Sequence, residues 1–264
     1  MVGLVMVHTA TLRAGKAATP VSIVVPAGGS RAAVVVLQEI WGVTEHLLSR
    51  ARLLADHGFT AVVPHLYHRW GDPLLEQGDF AAGKALLRRL NGPELALDLD
   101  AAVEQARDLG AATIGALGFC LGGSVALWAA ARSDIDASVT FYGSGISQPR
   151  WAGVAAGLET AREIDVPWLG LFGDRDTSIP TADVEELRVL LADRPVPTEI
   201  IRYPQAGHAF ATDPWSPLHV AAAAADGWAR AVTWFDAHLE PAPHLDLALH
   251  LPGPGRPVRW EEKS

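Results

Sequence analysis

Two hydrophobic rhythms alternate along the chain. Short, continuous apolar runs give way to longer stretches whose apolar residues recur at three- and four-residue intervals. Residues 32–37 are all small or β-branched apart from a closing leucine, the pattern of a strand buried on both faces. Residues 21–25 form a similar run that stops at the turn cluster Pro26-Ala27-Gly28-Gly29. Further strands are predicted over 59–63, ended by Pro64, and over 113–117, 137–142, 168–172 and 198–203. Between them, Leu47, Leu48, Ala51, Leu54 and Ala55 keep helical spacing, and Gly58 supplies the stop. Helices are also predicted over 94–109, 124–131, 184–191 and 220–239, the first with Leu95, Leu99, Ala102, Val103 and Ala106 on one face. This strand–helix rhythm, without an internal repeat, implies an α/β fold: a mostly parallel sheet covered by helices on both faces. From Pro241 the chain turns Pro-rich and ends in charges. Residues 1–240 are therefore expected to form a single domain and 241–264 a tail, in which the alternation over 244–251 suits a docking strand.

Composition narrows the partners. With 49% hydrophobic residues in a chain of 264, a sizeable core is expected and global disorder is not. A net charge of −9 argues against nucleic acid. One cysteine cannot make an internal disulfide, which suits a reducing compartment. Residues 1–7 are apolar but lack a basic leader and a full signal core. No stretch approaches the roughly 20 apolar residues of a membrane helix. A cytoplasmic protein without membrane attachment is expected, and its oligomeric state stays open.

The one cysteine carries the chemistry. Cys120 lies in Gly118-Phe119-Cys120-Leu121-Gly122, between an apolar strand pattern and a helix pattern. Strand, Gly-x-nucleophile-x-Gly, helix is the nucleophile elbow of the α/β-hydrolase fold, here with a thiol in place of the usual hydroxyl. Glycines flank the corner because side chains there would collide. An active thiol needs a base, and the base needs an orienter. In this fold they follow the nucleophile as acid, then histidine. The loop after strand 168–172 holds Asp174 and Asp176; a carboxylate directly after glycine suits a turn cap, which favours Asp176. His208 follows strand 198–203, ahead of the final helix. The His65–His68 pair has no second cysteine or carboxylate cluster beside it in the sequence, so no metal site is expected; the pair is expected to line a cleft or to be exposed.

Four segments resemble the dienelactone hydrolase (carboxymethylenebutenolidase) family from about residue 20 to 240. They are Gln38-Glu39-Ile40-Trp41-Gly42, Pro64-His65-Leu66-Tyr67, Gly118-Phe119-Cys120-Leu121-Gly122-Gly123 and Gly207-His208-Ala209-Phe210. The resemblance implies a hydrolase of a small ester or lactone that needs no cofactor. It implies Cys120 as nucleophile, His208 as base, Asp176 as its orienter and Glu39 beside the thiol. The oxyanion donors would be the backbone N–H groups of Leu121 and Ile40. Trp41, Tyr67, Trp70 and Phe210 suggest an apolar, aromatic mouth. The chain departs from the family at its substrate-carboxylate clamp. The arginine expected four residues after the histidine is Thr212, and the segment 69–90 offers Arg69, Lys84, Arg88 and Arg89 without a clear match for the second; Arg88 is taken as the substrate-binding candidate. The tyrosine motif carries His65 in place of aspartate, and Ala209 stands for serine. Two rival classes are a ligand-binding protein on a hydrolase fold and a thiol-based redox sensor; the sensor reading lacks a resolving cysteine.

Overall fold

The computed structural model describes residues 8–239 except 16, 17, 28 and 31; the N-terminal residues 1–7 and the expected tail with its candidate docking strand lie outside the described residues. Eight strands form one sheet: β1 His8–Ala14, β2 Thr19–Val25, β3 Ala32–Leu37, β4 Phe59–Pro64, β5 Ile114–Phe119, β6 Ala137–Phe141, β7 Trp168–Gly173 and β8 Thr198–Tyr203. The helices are α1 Glu45–Asp56, α2 Phe80–Leu87, α3 Gly92–Asp108, α4 Leu121–Ala129, α5 Gly157–Thr160, α6 Thr181–Leu191 and α7 Ala221–His238. The strand order is β1-β2-β4-β3-β5-β6-β7-β8. From β4 through β8 neighbours run parallel, while β1 and β2 pair antiparallel at one edge.

Strand β3 shows why the sheet is covered on both sides. Its side chains alternate across the sheet, and every one is apolar. Val34 and Val36 join Leu47 and Leu54 of α1 and Phe235 of α7 on one face. Ala33, Val35 and Leu37 join Leu95 and Leu99 of α3 and Val125 of α4 on the other. Full burial of side chains such as Leu54 and Leu99 stabilises the fold by roughly 1.5–3 kcal/mol each.

Helix starts depart from the periodicity where caps and glycines decide. Helix α3 begins at Gly92, because the Asn91 side chain accepts from the Glu94 N–H (3.1 Å) and donates to Glu94 Oε2 (2.9 Å). Helix α4 begins at Leu121, ahead of the apolar periodicity, because Gly122 and Gly123 are wound into its first turn by close packing. A Cβ on Gly122 would lie 2.2 Å from the Leu37 carbonyl oxygen, and one on Gly123 would lie 2.5 Å from that of Phe141. Strand β1 and helix α2 had no signal of this strength: β1 has no continuous apolar run, and α2 sits in a segment rich in charge and glycine.

These contacts turn the chain sharply at the end of β5. A Cβ on Gly118 would sit 1.9 Å from the Gly122 carbonyl oxygen. Gly118→Ala is expected to cost more than about 3 kcal/mol, or to abolish folding, in a denaturant titration. Gly71→Ala, at φ 85° but with nothing within 4 Å of the new Cβ, is expected to cost only about 1–2 kcal/mol.

Candidate active site

Cys120 occupies the corner with φ 53° and ψ −110°, a conformation side chains rarely adopt. Its N–H donates to the Phe141 carbonyl (3.1 Å) and its carbonyl accepts from the Ser124 N–H (3.1 Å). The Gly122 N–H donates to the Gln38 carbonyl (2.9 Å), which ties the elbow to the end of β3. Gln38 itself is fully buried, and its Oε1 accepts from the Leu66 N–H (3.1 Å), so one side chain also pins the loop after β4. The N–H groups of Leu121 and Ile40 enter none of the turn, loop or cap backbone hydrogen bonds among the described residues.

Two loops from the far side of the sheet meet the sulfur. The Arg175 N–H donates to the Ala206 carbonyl (2.9 Å), and the Asp174 N–H to the Tyr203 carbonyl (3.0 Å). Gly173 permits this approach, since a Cβ there would lie 2.4 Å from the Ala206 oxygen. So stitched, the loops bring His208 Nε2 to 3.1 Å from Cys120 Sγ and His208 Nδ1 to 2.6 Å from Asp176 Oδ2. Asp176 Oδ1 accepts from the Ser178 N–H (2.8 Å) and hydroxyl (2.6 Å). Asp174 turns instead to Arg202, at 2.6 Å.

Charge in the site follows from burial and neighbours. His208 is pushed up to about 10: burial opposes its charge, but negative charge on the Cys120 sulfur and on Asp176 outweighs it. The Asp176 carboxyl is held below the usual carboxylate range; burial acts against this, and the bonds from His208 and Ser178 prevail. Glu39 is pushed up to about 7, mainly by burial, with His208 and the Tyr142 hydrogen bond pulling the other way. The Tyr142 hydroxyl donates to Glu39 Oε1 (3.2 Å), and its ring lies 5.2 Å from that of His208. Tyr142 has φ 39° and is fully buried, so the side chain holding Glu39 is itself fixed by a strained corner after β6.

Of the four aromatic residues expected at the mouth, Trp70 is half-buried and the other three are buried. Tyr67 and Phe210 have no exposed surface, and Trp41 keeps 7%. The Tyr67 hydroxyl donates to the Ile40 carbonyl (3.3 Å), Phe210 packs among Phe141, Tyr142 and Tyr203, and Trp41 meets Phe80 edge-on at 5.2 Å. Each ring finds a packing partner inside the fold. Nor do His65 and His68 line a cleft or stand exposed. His65 joins Ser22 and Asp72, and His68 joins the fully buried Asp98, which also takes Arg69 (2.6 Å) and Thr19 (2.7 Å). Ser22, His65 and Asp72 have the residue types of a triad, but Ser22 is 4% exposed in the middle of β2, paired with Val63, with no corner to lift it. They clasp β2 to the loop after β4. Of the four clamp candidates, Arg69 is held by Asp98, Arg89 lies over Trp70 at 4.7 Å, Lys84 is exposed on α2, and Arg88 faces a cavity of about 440 Å³. Thr212 is buried and accepts from Gln77 Nε2 (3.1 Å). Tyr142, Ser178 and Gln38 went unread as site residues. Their signal was position: Tyr142 and Ser178 follow the C-terminal ends of strands, where open α/β sheets collect their chemistry.

Fold and site geometry together define an α/β-hydrolase. Residues 20–239 match the model of the dienelactone hydrolase family. The chain is 36% identical over 208 residues to a Yersinia pestis protein assigned as a carboxymethylenebutenolidase, covering 78% of each chain. It is 36% identical over 214 residues to the carboxymethylenebutenolidase of Rhodococcus opacus, covering 80% of this chain and 83% of that one. A Klebsiella pneumoniae structure assigned as a dienelactone hydrolase superposes with a TM-score of 0.81 at 30% identity, covering 89% of this chain and 100% of that one. The chain belongs to the dienelactone hydrolase family and is an ester or lactone hydrolase of that kind.

The Glu39 carboxyl yields a stability test. Raised from 4.5 to about 7, it keeps in the fold a proton that the unfolded chain releases. Its contribution is therefore full below about pH 4.5 and is lost as pH rises through 7. Glu39→Gln is expected to gain up to about 3 kcal/mol over wild type at pH 8.5 and almost nothing at pH 4, read as paired denaturant midpoints. An equal shift at both pH values contradicts the burial argument.

Proposed function

We propose that the chain hydrolyses a small ester or lactone through an acyl-enzyme on Cys120. The observation that carries this reading is the continuous line Cys120 Sγ, His208, Asp176, at 3.1 and 2.6 Å. His208 Nε2 takes the thiol proton while the sulfur attacks the carbonyl carbon. The C–S bond forms, and the carbonyl π pair moves to oxygen, where the N–H groups of Leu121 and Ile40 receive it. Collapse breaks the C–O bond, and the alkoxide takes the proton from His208; in a lactone it stays tethered to the acyl group. Water then gives a proton to His208 and attacks the thioester; the acid departs, and the proton returns to sulfur. Asp176 holds the imidazole so that Nε2 faces the sulfur.

Glu39 acts as a guard on the resting thiol. A carboxylate nearby disfavours ionised sulfur, and substrate that displaces Glu39 removes that opposition to proton transfer from the thiol. With a value near 7, Glu39 is partly ionised at neutral pH and gives way readily. The Tyr142 hydroxyl supports this role by holding Glu39 through its bond to Oε1 (3.2 Å). A chain whose only cysteine is this thiol suits the reducing cytoplasm and has no resolving partner for redox sensing. Among the described residues no helix is long and apolar enough to cross a membrane.

Cys120→Ala is expected to reduce hydrolysis of 4-nitrophenyl acetate to background while the unfolding midpoint stays near wild type. His208→Ala is expected to lose about 10²- to 10⁴-fold in kcat/KM. Undiminished turnover in the cysteine variant would rule out the covalent route.

A further inference from the structure

The segment Gln38-Glu39-Ile40 is held at each of its carbonyls. The Gln38 carbonyl accepts from the Gly122 N–H (2.9 Å). The Glu39 carbonyl accepts from the Gly42 N–H (3.4 Å) and from Gln38 Nε2 (3.4 Å). The Ile40 carbonyl accepts from the Tyr67 hydroxyl (3.3 Å). Peptide groups are planar, so the last two carbonyls fix the two planes that meet at the Ile40 Cα. The plane of the Glu39 carbonyl also carries the Ile40 N–H. The Ile40 side chain is bounded as well, since a Cβ on Gly83 of α2 would lie 3.0 Å from Ile40 Cδ1. In these bonds only the Ile40 carbonyl depends on a side chain from another segment.

Tyr67 is pinned on both sides. Before it, the Leu66 N–H donates to Gln38 Oε1 (3.1 Å), and His65 joins Ser22 Oγ of β2 (2.8 Å) and Asp72. After it, His68 reaches the fully buried Asp98 of α3 (3.1 Å), which also holds Arg69. The Trp70 and Asp72 N–H groups donate to the Tyr67 carbonyl (2.9 and 3.2 Å). Two histidine–carboxylate clasps and a turn thus brace one phenol, although neither clasp belongs to the line Cys120, His208, Asp176. The ring has no exposed surface and lies 6.2 Å from that of Trp70. Phenylalanine would fill the same space without burying a hydroxyl, which costs free energy unless it is bonded. Burial, and then negative charge on the Cys120 sulfur, push the Tyr67 hydroxyl above its ordinary value. The hydroxyl therefore stays a donor at working pH, and it lies close enough to the thiol to feel its charge.

We propose that Tyr67 is a positioning residue: its hydroxyl, braced by the His65 and His68 clasps, fixes the Ile40 peptide so that the Ile40 N–H meets the oxyanion. This rests on the hydrolase reading above, in which that N–H is an oxyanion donor, and adds the group that aims it. The test is acylation of Cys120 by 4-nitrophenyl acetate, followed as the nitrophenolate burst under rapid mixing. It compares wild type, Tyr67→Phe and a protein carrying 4-aminophenylalanine at position 67. The first variant keeps the ring and removes the donor; the second returns a weaker N–H donor to the same place. Tyr67→Phe is expected to slow acylation at saturating ester by about 10- to 100-fold, with the half-saturating concentration within about twofold of wild type. The 4-aminophenylalanine protein is expected to run about 2- to 5-fold below wild type. A role in packing alone shifts the unfolding midpoint and leaves the rate per folded molecule unchanged. Tyr67→Phe at the wild-type rate, or a 4-aminophenylalanine protein as slow as Tyr67→Phe, overturns the positioning role. Where Tyr67→Phe does not fold, the 4-aminophenylalanine protein decides: the expected slowing supports the role, and an unaltered rate overturns it. A wild-type protein with neither burst nor acyl adduct on Cys120 overturns the covalent route itself, and the positioning role with it.

Discussion

The backbone corner at Cys120 is the constraint on which the rest depends. A residue other than glycine at φ 53° and ψ −110° costs about 1–3 kcal/mol and persists only where its surroundings over-determine it. Here they do. Gly118, Gly122 and Gly123 each lie against backbone that a methyl group would strike, so β3, β5, β6 and α4 close on the corner from several sides. The hydrogen bonds from the Cys120 N–H to Phe141 and from the Gly122 N–H to Gln38 fix its two edges. The corner thereby places Cys120 at the junction of β5 and the N-terminus of α4.

The remaining parts are arranged around that fixed point. Backbone bonds between the loops after β7 and β8 set His208 and Asp176 as one unit, and Ser178 anchors the carboxylate. A second strained residue, Tyr142, holds Glu39. Both strained side chains sit at C-terminal strand ends, where the parallel sheet leaves its loops free to diverge while its strands stay rigid. The charges are graded rather than uniform. Asp176 stays ionised because donors surround it, while Glu39 is nearly balanced at neutral pH because burial works against its charge.

Much of this was legible in the amino-acid order because the signals were local. The run 32–37 announced a doubly buried strand through β-branched residues alone, and Gly118-Phe119-Cys120-Leu121-Gly122 announced the corner through its spacing. His208 and Asp176 were legible from their place after late strands. What escaped reading depends on contacts between distant segments. Whether Tyr67 and Phe210 face a cleft or the interior is decided by rings and carbonyls far away in sequence, and both face inward. The His65–His68 pair looked isolated because its carboxylates, Asp72 and Asp98, arrive through the loop and α3. Four cations in the segment 69–90 offered no clear match to the clamp, and Arg88 was taken among them. Packing separated them, engaging Arg69 and Arg89 and leaving Arg88 exposed at the rim of a cavity.

The central claim is that the strained sulfur carries the acyl group. Rapid mixing with 4-nitrophenyl acetate, acid quench and intact-mass analysis, followed by peptide mapping, tests it directly. The account requires a transient acetyl adduct located on Cys120, at nearly one per chain when deacylation is slow. An adduct on another residue, or turnover with no adduct at any mixing time, would contradict it.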